Sequence, residues 1–105
     1  MELKIGRKKI CIVEARTFTK RLFGLMGKEN IDYGMFFPKC KSIHTFFMKE
    51  SINVFGLDND NVVIFRKLNL MPNKILDIKQ KKTNILELPS NIGRNINIGD
   101  KLTLG

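Results

Sequence analysis

The sequence predicts a mainly β (α+β) domain, built as a strongly curved sheet or partly closed small barrel with one or two short helices packed on it. Three observations lead to this prediction. Short runs rich in β-branched residues recur along the chain, at least one of them is apolar on both faces, and the stretches with helical spacing between them are short.

The first of these runs extends from Lys8 to Ala15. Ile10 and Ile12 lie on one face of an extended chain, and Cys11 and Val13 lie on the other. Because both faces are apolar, we expect a strand that is covered on both sides, with the preceding residues leading into it. Unpaired cysteines are among the most buried residue types, so Cys11 and Cys40 are expected in the core.

A helix is predicted next, in the stretch "TFTKRLFGLMG". Phe18, Leu22, Leu25 and Met26 follow one another at helical spacing and would form one apolar face. Thr17 is a suitable N-cap and Gly27 a suitable C-terminal stop. We expect this face to pack against the sheet.

Extended segments dominate the rest of the chain. The stretch "SIHTFFMKE" favours a strand, and "INVFGL" and "NVVIFRKL" are predicted to form a hairpin through the turn residues Asp58 to Asn61. "NILELP" is a further short strand. The tail then predicts a helical turn after Ser90, a tight turn at Gly99 and Asp100, and a closing strand from Lys101 to Leu104.

Length and apolar patterning indicate one domain over residues 1–105. A chain of 105 residues can bury a single adequate core without a disulfide or a metal. Its longest apolar runs are far shorter than the roughly 20 residues that span a bilayer, so we expect no membrane partner. The first ten residues lack the apolar stretch of a secretory signal, and the sequence is therefore predicted to be cytoplasmic.

The net charge of +9 raises the question of nucleic-acid binding. The basic residues are scattered, however, and are dense only at Arg7 to Lys9 and at Lys79 to Lys82. Neither cluster contains an aromatic residue on which a base could stack. A Lys-, Asn- and Ile-rich composition also follows from AT-rich coding. We therefore expect any nucleic-acid binding to be weak and non-specific, and we expect a monomer.

The stretch "CKSIHTFFM" contains the single histidine, His44, four residues after Cys40. In an extended chain the two side chains would be about 13 Å apart, too far for a catalytic dyad or shared zinc coordination. A zinc site that also recruits Cys11 and Asp58 would lack the close cysteine pair typical of such sites. The sequence accordingly predicts no metal and no cofactor.

Several of these landmarks occur together in a recognisable order: "ARTFTKRLFGLMG", "GMFF", "CKSIHTFFMKESINVFGLD", "LELP" and "IGDKL". With these motifs, and over nearly its whole length, the chain resembles the domain of unknown function 192 family of small prokaryotic proteins. Members usually carry Pro and Asp where this chain has Ser51 and Asn53. The resemblance implies a compact, mostly β fold and brings no established activity.

The function predicted first is a non-enzymatic binding or accessory protein that takes a small ligand or a protein. Its shallow site would form where Arg21, His44, Phe46, Met48 and Asp58 converge. The alternative is a small hydrolase-like enzyme that uses His44 with Asp58 or Glu87 as acid and base. Weak, non-specific binding of nucleic acid is the third possibility. Arg21 would contribute an anion-binding group, or pair structurally with Asp58 or Glu87.

Phe46 and Met48 are further expected to share the face of His44 and to line the core. If Phe46 were exposed instead, the segment would be a surface binding strip.

Overall fold

The computed structural model describes residues 1–15, 27–78 and 83–105. This part of the chain forms nine strands: β1 (Glu2–Ile5), β2 (Lys8–Glu14), β3 (Gly34–Cys40), β4 (Ser42–His44), β5 (Ile52–Leu57), β6 (Val63–Leu70), β7 (Ile75–Asp77), β8 (Thr83–Pro89) and β9 (Thr103–Leu104). The predicted mainly β class is confirmed.

The predicted short helices find no support in the described residues. The helix expected from Thr17 onward lies outside them, apart from Gly27, which is in a turn. The helical turn expected after Ser90 is a series of turns and bends through residues 90–99 instead. Asn and Gly are frequent in this stretch and favour turns over a helix.

Seven strands form one sheet in the order β6-β5-β8-β3-β2-β1-β9, and β4 and β7 form a separate two-stranded ribbon. Neighbouring strands of the large sheet are antiparallel, except β2 and β3, which are parallel. The strands β5 and β6 are joined through the turn that the sequence predicted at Asp58 to Asn61. The first and last strands of the chain lie side by side, with Leu3 opposite Leu104.

The sheet curls until its two edges meet. Val62, just before the edge strand β6, forms a bridge with Lys101, just before the other edge strand β9. Val63 N donates to Asp100 O at 2.8 Å, and Gly99 N donates to Val63 O at 2.8 Å. These contacts confirm the strongly curved, partly closed barrel.

The sheet separates two apolar clusters. One, the barrel core, lies inside the curl and contains Leu3, Ile12, Phe36, Phe55, Leu57, Val63, Leu86, Leu88, Ile96 and Leu102. The other, the ribbon core, contains Ala15, Met35, Phe37, Ile43, Met48, Ile52, Val54, Leu70, Ile78 and Ile85, and the β4–β7 ribbon contributes to it.

Strand β5 is the strand whose residues are all buried. Ile52 and Val54 face the ribbon core, and Phe55 and Leu57 face the barrel core. The expectation that Cys11 is a core residue is wrong, because its side chain is exposed. It lies on β2 opposite the exposed Glu2, near the open end of the β1–β2 hairpin, and the same face of the chain reaches the ribbon core only from Val13 onward.

Asn53, on β5, is completely buried and joins three segments of the chain. Its Nδ2 donates to the carbonyl oxygens of Pro89 (3.4 Å), Ser90 (3.1 Å) and Ile92 (2.8 Å). Its Oδ1 accepts a hydrogen bond from Asn69 N at 3.0 Å. An amide side chain can both donate and accept, whereas an ionised carboxylate can only accept.

We therefore expect Asn53→Asp to lower the free energy of unfolding by about 3 kcal/mol, because it places a carboxylate against three carbonyl oxygens. Asn84→Asp is the matched control, since the hydrogen bond that the Asn84 side chain forms with a described residue is one that Oδ1 accepts, from Lys39 N at 3.1 Å. That variant should lie within about 0.5 kcal/mol of the wild type. Denaturant midpoints measure both. Equal losses in the two variants would contradict the role assigned to Asn53.

Candidate functional site

The β4–β7 ribbon places His44 on the surface. His44 pairs with Ile75, and Ile43 pairs with Leu76. Because neighbouring residues of a strand point to opposite faces, Ile43 and Leu76 face the ribbon core while His44 and Ile75 face outward.

The buried Thr45 fixes the chain that follows β4. Its Oγ1 donates to Met71 O at 2.7 Å and accepts from Lys74 N at 2.8 Å. Its backbone N donates to Lys74 O, and its backbone O accepts from Asn73 N, both at 2.8 Å. The loop after His44 is therefore fastened to residues 71–74, the loop between β6 and β7.

Beyond Thr45 the chain turns, with Met48 N donating to Thr45 O at 3.2 Å. The turn ends the strand alternation, so Phe46 and Met48 do not share one face. Met48 is buried in the ribbon core, as predicted. Phe46 is 38% exposed and Phe47 is 74% exposed, so the expectation of a core-lining Phe46 is wrong.

His44 and Phe46 form a stacked pair on this surface. Their ring centroids are 5.2 Å apart, with an angle of 25° between the planes. His44 Nδ1 accepts a hydrogen bond from Phe46 N at 3.3 Å. The imidazole is thus oriented by the backbone of its own loop, and in the neutral ring the proton lies on Nε2.

Phe47 has a left-handed backbone conformation, with φ of 61°. Its N donates to Asn73 Oδ1 at 3.3 Å, and its O accepts from Gly27 N at 2.9 Å. Bulky side chains rarely adopt this conformation, because Cβ then crowds the backbone. The two flanking hydrogen bonds hold the residue in it with its ring toward solvent.

Two more exposed apolar residues belong to the same two connected segments. Met71 is 60% exposed and Ile75 is 68% exposed, and Ile75 is the cross-strand partner of His44. We call the exposed residues of these two joined segments, His44, Phe46, Phe47, Met71 and Ile75, the aromatic strip. Sequence reasoning missed its last three members. For Met71 the turn-forming "MPN" at residues 71–73 indicates an exposed loop, whereas Phe47 and Ile75 have no such local signal.

Asp58 lies away from this strip. Its Oδ1 accepts from Asp60 N at 2.8 Å and from Val62 N at 2.9 Å, which closes the β5–β6 turn. Met48 precedes one end of β5, and Asp58 follows the other, about 17 Å of strand further on. The structure therefore does not bring Asp58 to His44.

Glu87 is buried in the middle of β8, between its cross-strand neighbours Met35 and Val54 on the ribbon-core side. No hydrogen bond or ion pair from a described residue reaches its carboxyl group. Burial raises the pKa of Glu87 from 4.5 to about 8, so the group is largely uncharged at neutral pH. His44 faces outward on the far side of the ribbon, and the two are not brought together.

Arg21 and the basic cluster at Lys79 to Lys82 lie outside the described residues. Cys40 is partly buried at the end of β3, and its Sγ approaches Pro38 O at 3.8 Å. Within residues 1–15, 27–78 and 83–105, no three His, Cys, Asp or Glu side chains come together in a way that could hold a metal ion. Nor does this part of the chain include a helix long and apolar enough to cross a membrane.

Fold and surface together define a small, curled β domain that presents an exposed aromatic strip on the two-stranded β4–β7 ribbon and the loops beside it. The chain matches the model of the DUF192 family, described as "Uncharacterized ACR", over residues 1–104. It belongs to that family, as its motifs indicated. No curated protein matches the sequence.

Two crystal structures share the fold. A protein of unknown function from Novosphingobium aromaticivorans is 18% identical, with a TM-score of 0.80 over 98% of this chain and 82% of that one. A proposed transcription regulator from Sinorhizobium meliloti is also 18% identical, with a TM-score of 0.81 over 97% of this chain and 89% of that one. At this identity the likeness extends to the fold alone.

The buried Glu87 leads to a prediction about pH. Above pH 4.5 the carboxyl ionises in the unfolded chain but stays protonated in the folded one until about pH 8. The free energy of unfolding therefore falls as pH rises across this window and levels off above it.

Glu87→Gln removes this titration and keeps the shape of the protonated acid. Its stability advantage over the wild type should grow from pH 4.5 to about pH 8, as measured by denaturant midpoints. The exposed Glu2→Gln serves as control and should run parallel to the wild type. A constant difference between Glu87→Gln and the wild type would show that the folded state already holds Glu87 ionised.

The different burial of Phe46 and Met48 gives a second prediction. Met48→Ala should cost about 2 to 4 kcal/mol, because it empties a space in the ribbon core. Phe46→Ala should cost about 1 kcal/mol, the loss of one surface stack with His44. Urea midpoints test both, and a larger cost for Phe46→Ala would mean that its ring is buried in solution.

Proposed function

We propose that this protein is a non-enzymatic binding module that recognises a partner protein through the aromatic strip. The observation that carries the proposal is Phe47, a 74% exposed aromatic side chain held at φ of 61°. Neither property stabilises the fold. The left-handed conformation costs about 1–2 kcal/mol in a residue other than glycine, and the exposed ring contributes little burial.

Such strain persists where the surrounding structure imposes it, and it is concentrated at functional sites. Here Asn73 and Gly27 impose it from both sides of Phe47, and Thr45 fastens the loops beneath. The strip is therefore preorganised, and a partner would not have to order it on binding. Exposed aromatic side chains in a fixed position are typical of residues that dominate the binding energy of interfaces.

The shape of the strip favours a protein over a small molecule. Small ligands are usually enclosed in concave sites, whereas Phe47 projects into solvent. A projecting ring fits an apolar recess on another protein. Around it, Met71 and Ile75 would extend the apolar contact, and the outward Nε2 of His44 could donate a hydrogen bond to the partner.

The hydrolase alternative has less support. The predicted acid–base pair needs Asp58 or Glu87 within reach of His44, yet Nδ1 is engaged by Phe46 N, Asp58 closes a distant turn, and Glu87 lies on the other side of the ribbon. Arg21, which the sequence added to the site, lies outside the described residues and remains a candidate contact for the partner.

Site-specific photocrosslinking tests the proposal. A benzophenone-bearing amino acid at position 47 should crosslink one reproducible protein in the native cell, and the same group at the exposed turn residue Asn59 should not. The crosslinked protein, once purified, should bind the wild type directly. Equal crosslinking from both positions would contradict the proposal. So would dimers of this chain as the sole product, because the strip would then be a self-association surface.

Phe47→Gly should separate binding from stability. Glycine adopts positive φ without strain, but it also raises the entropy of the unfolded chain, so we expect the free energy of unfolding to change by less than about 1 kcal/mol in either direction. Affinity for the crosslinked partner should fall at least about tenfold, as expected for the loss of a central aromatic contact. A clear loss of stability with unchanged affinity would assign Phe47 a structural role instead.

A further inference from the structure

The geometry points to a second site, a basic groove on the barrel seam that binds the phosphate group of a small anionic molecule. The groove has a volume of about 700 Å³ and lies between β1, the turns at residues 91–96 and the segment at residues 100–102. It is built from other elements than the aromatic strip and does not depend on the function proposed for that strip.

Three cationic residues from separate parts of the chain line the groove: Lys4, Arg94 and Lys101. None of them forms an ion pair with a described residue. The one acidic residue in the lining is Asp100, whose Oδ2 already accepts from Asn97 N at 2.8 Å. Three cations against one carboxylate leave the groove lining with an excess of positive charge.

Lys4 also has a like-charged neighbour outside the groove lining, on the β1–β2 hairpin. Lys4 lies directly opposite Lys9 in the antiparallel pair. Like charges in directly opposed positions destabilise a sheet, and an anion bound beside them would relieve the repulsion.

Arg94 is held in place. Its Nη1 donates to Asn69 Oδ1 at 2.9 Å and to Ser90 O at 3.0 Å. Its Nε and Nη2 have no partner among the described residues and can serve a ligand. Arg66 holds the backbone of the turn that contains Arg94. Its Nε donates to Ile96 O at 2.7 Å, and its Nη2 donates to Arg94 O at 2.9 Å.

A positioned guanidinium and two lysines that line the same groove suit a phosphate, because two parallel N–H groups can bind two of its oxygens while the lysines supply further charge. The volume lies within the range of about 300–1,000 Å³ that is typical of small-molecule sites. We therefore infer a small phosphate- or diphosphate-bearing ligand.

Inorganic pyrophosphate is the probe that tests this inference. Titration at about 0.15 M salt, where diffuse attraction is screened, should shift the amide NMR signals of Gly93, Asn95 and Lys101. Lys101→Gln should weaken binding about tenfold, the effect of one lost charge-assisted hydrogen bond. Lys41→Gln makes the same charge change at an exposed bend outside the groove and should leave affinity within about twofold.

Arg94→Lys separates geometry from charge, because it keeps the cation and removes the fork of N–H donors. It should also weaken pyrophosphate binding. Equal weakening by Lys41→Gln and Lys101→Gln would overturn the site in favour of diffuse attraction. Citrate binding as tight as pyrophosphate binding would overturn the phosphate assignment. Tighter binding of a short oligonucleotide, lost equally in both lysine variants, would point to a general nucleic-acid surface instead.

Discussion

The side-chain amide of Asn53 is the interaction on which the closed form of this domain depends. It lies on β5, between the edge strand β6 and β8, is completely buried, and holds the carbonyl oxygens of Pro89, Ser90 and Ile92 where the chain leaves β8. The turns that begin there carry Ile96 and Leu102 over the barrel core and bring Lys101 to Val62. One amide thus directs the segment that closes the curled sheet.

The two faces of the sheet are covered in different ways, and this difference places both proposed sites. The tail covers the barrel core, and its outer surface forms the basic groove. The β4–β7 ribbon contributes to the cover over the opposite face, and its outer side carries His44 and Ile75. Glu87 lies beneath this second cover, where an apolar environment keeps its carboxyl protonated and stability depends on pH.

Local sequence signals predicted the features that depend on local chemistry. The β5–β6 hairpin follows from the turn residues at Asp58 to Asn61, and the mainly β class follows from the many β-branched runs. Features set by distant residues were not predictable. Phe46 is exposed because Thr45 is fastened to residues 71–74, and β7 is too short, at three residues, to show a periodicity. Likewise, nothing in the local sequence distinguishes Asn53 from an ordinary strand residue, because the carbonyl groups that it binds lie 36 to 39 positions further along the chain.

The pairing of β1 with β9 has a consequence for how the domain folds. Leu3 and Leu104 are neighbours in space although nearly the whole chain separates them in sequence. Bringing such distant segments together costs loop-closure entropy before any contact compensates for it, and a high contact order slows folding. The hairpins β1–β2 and β5–β6 can form early, whereas the seam can form only when the first and last strands have met. The basic groove, which spans that seam, is therefore a property of the completed fold.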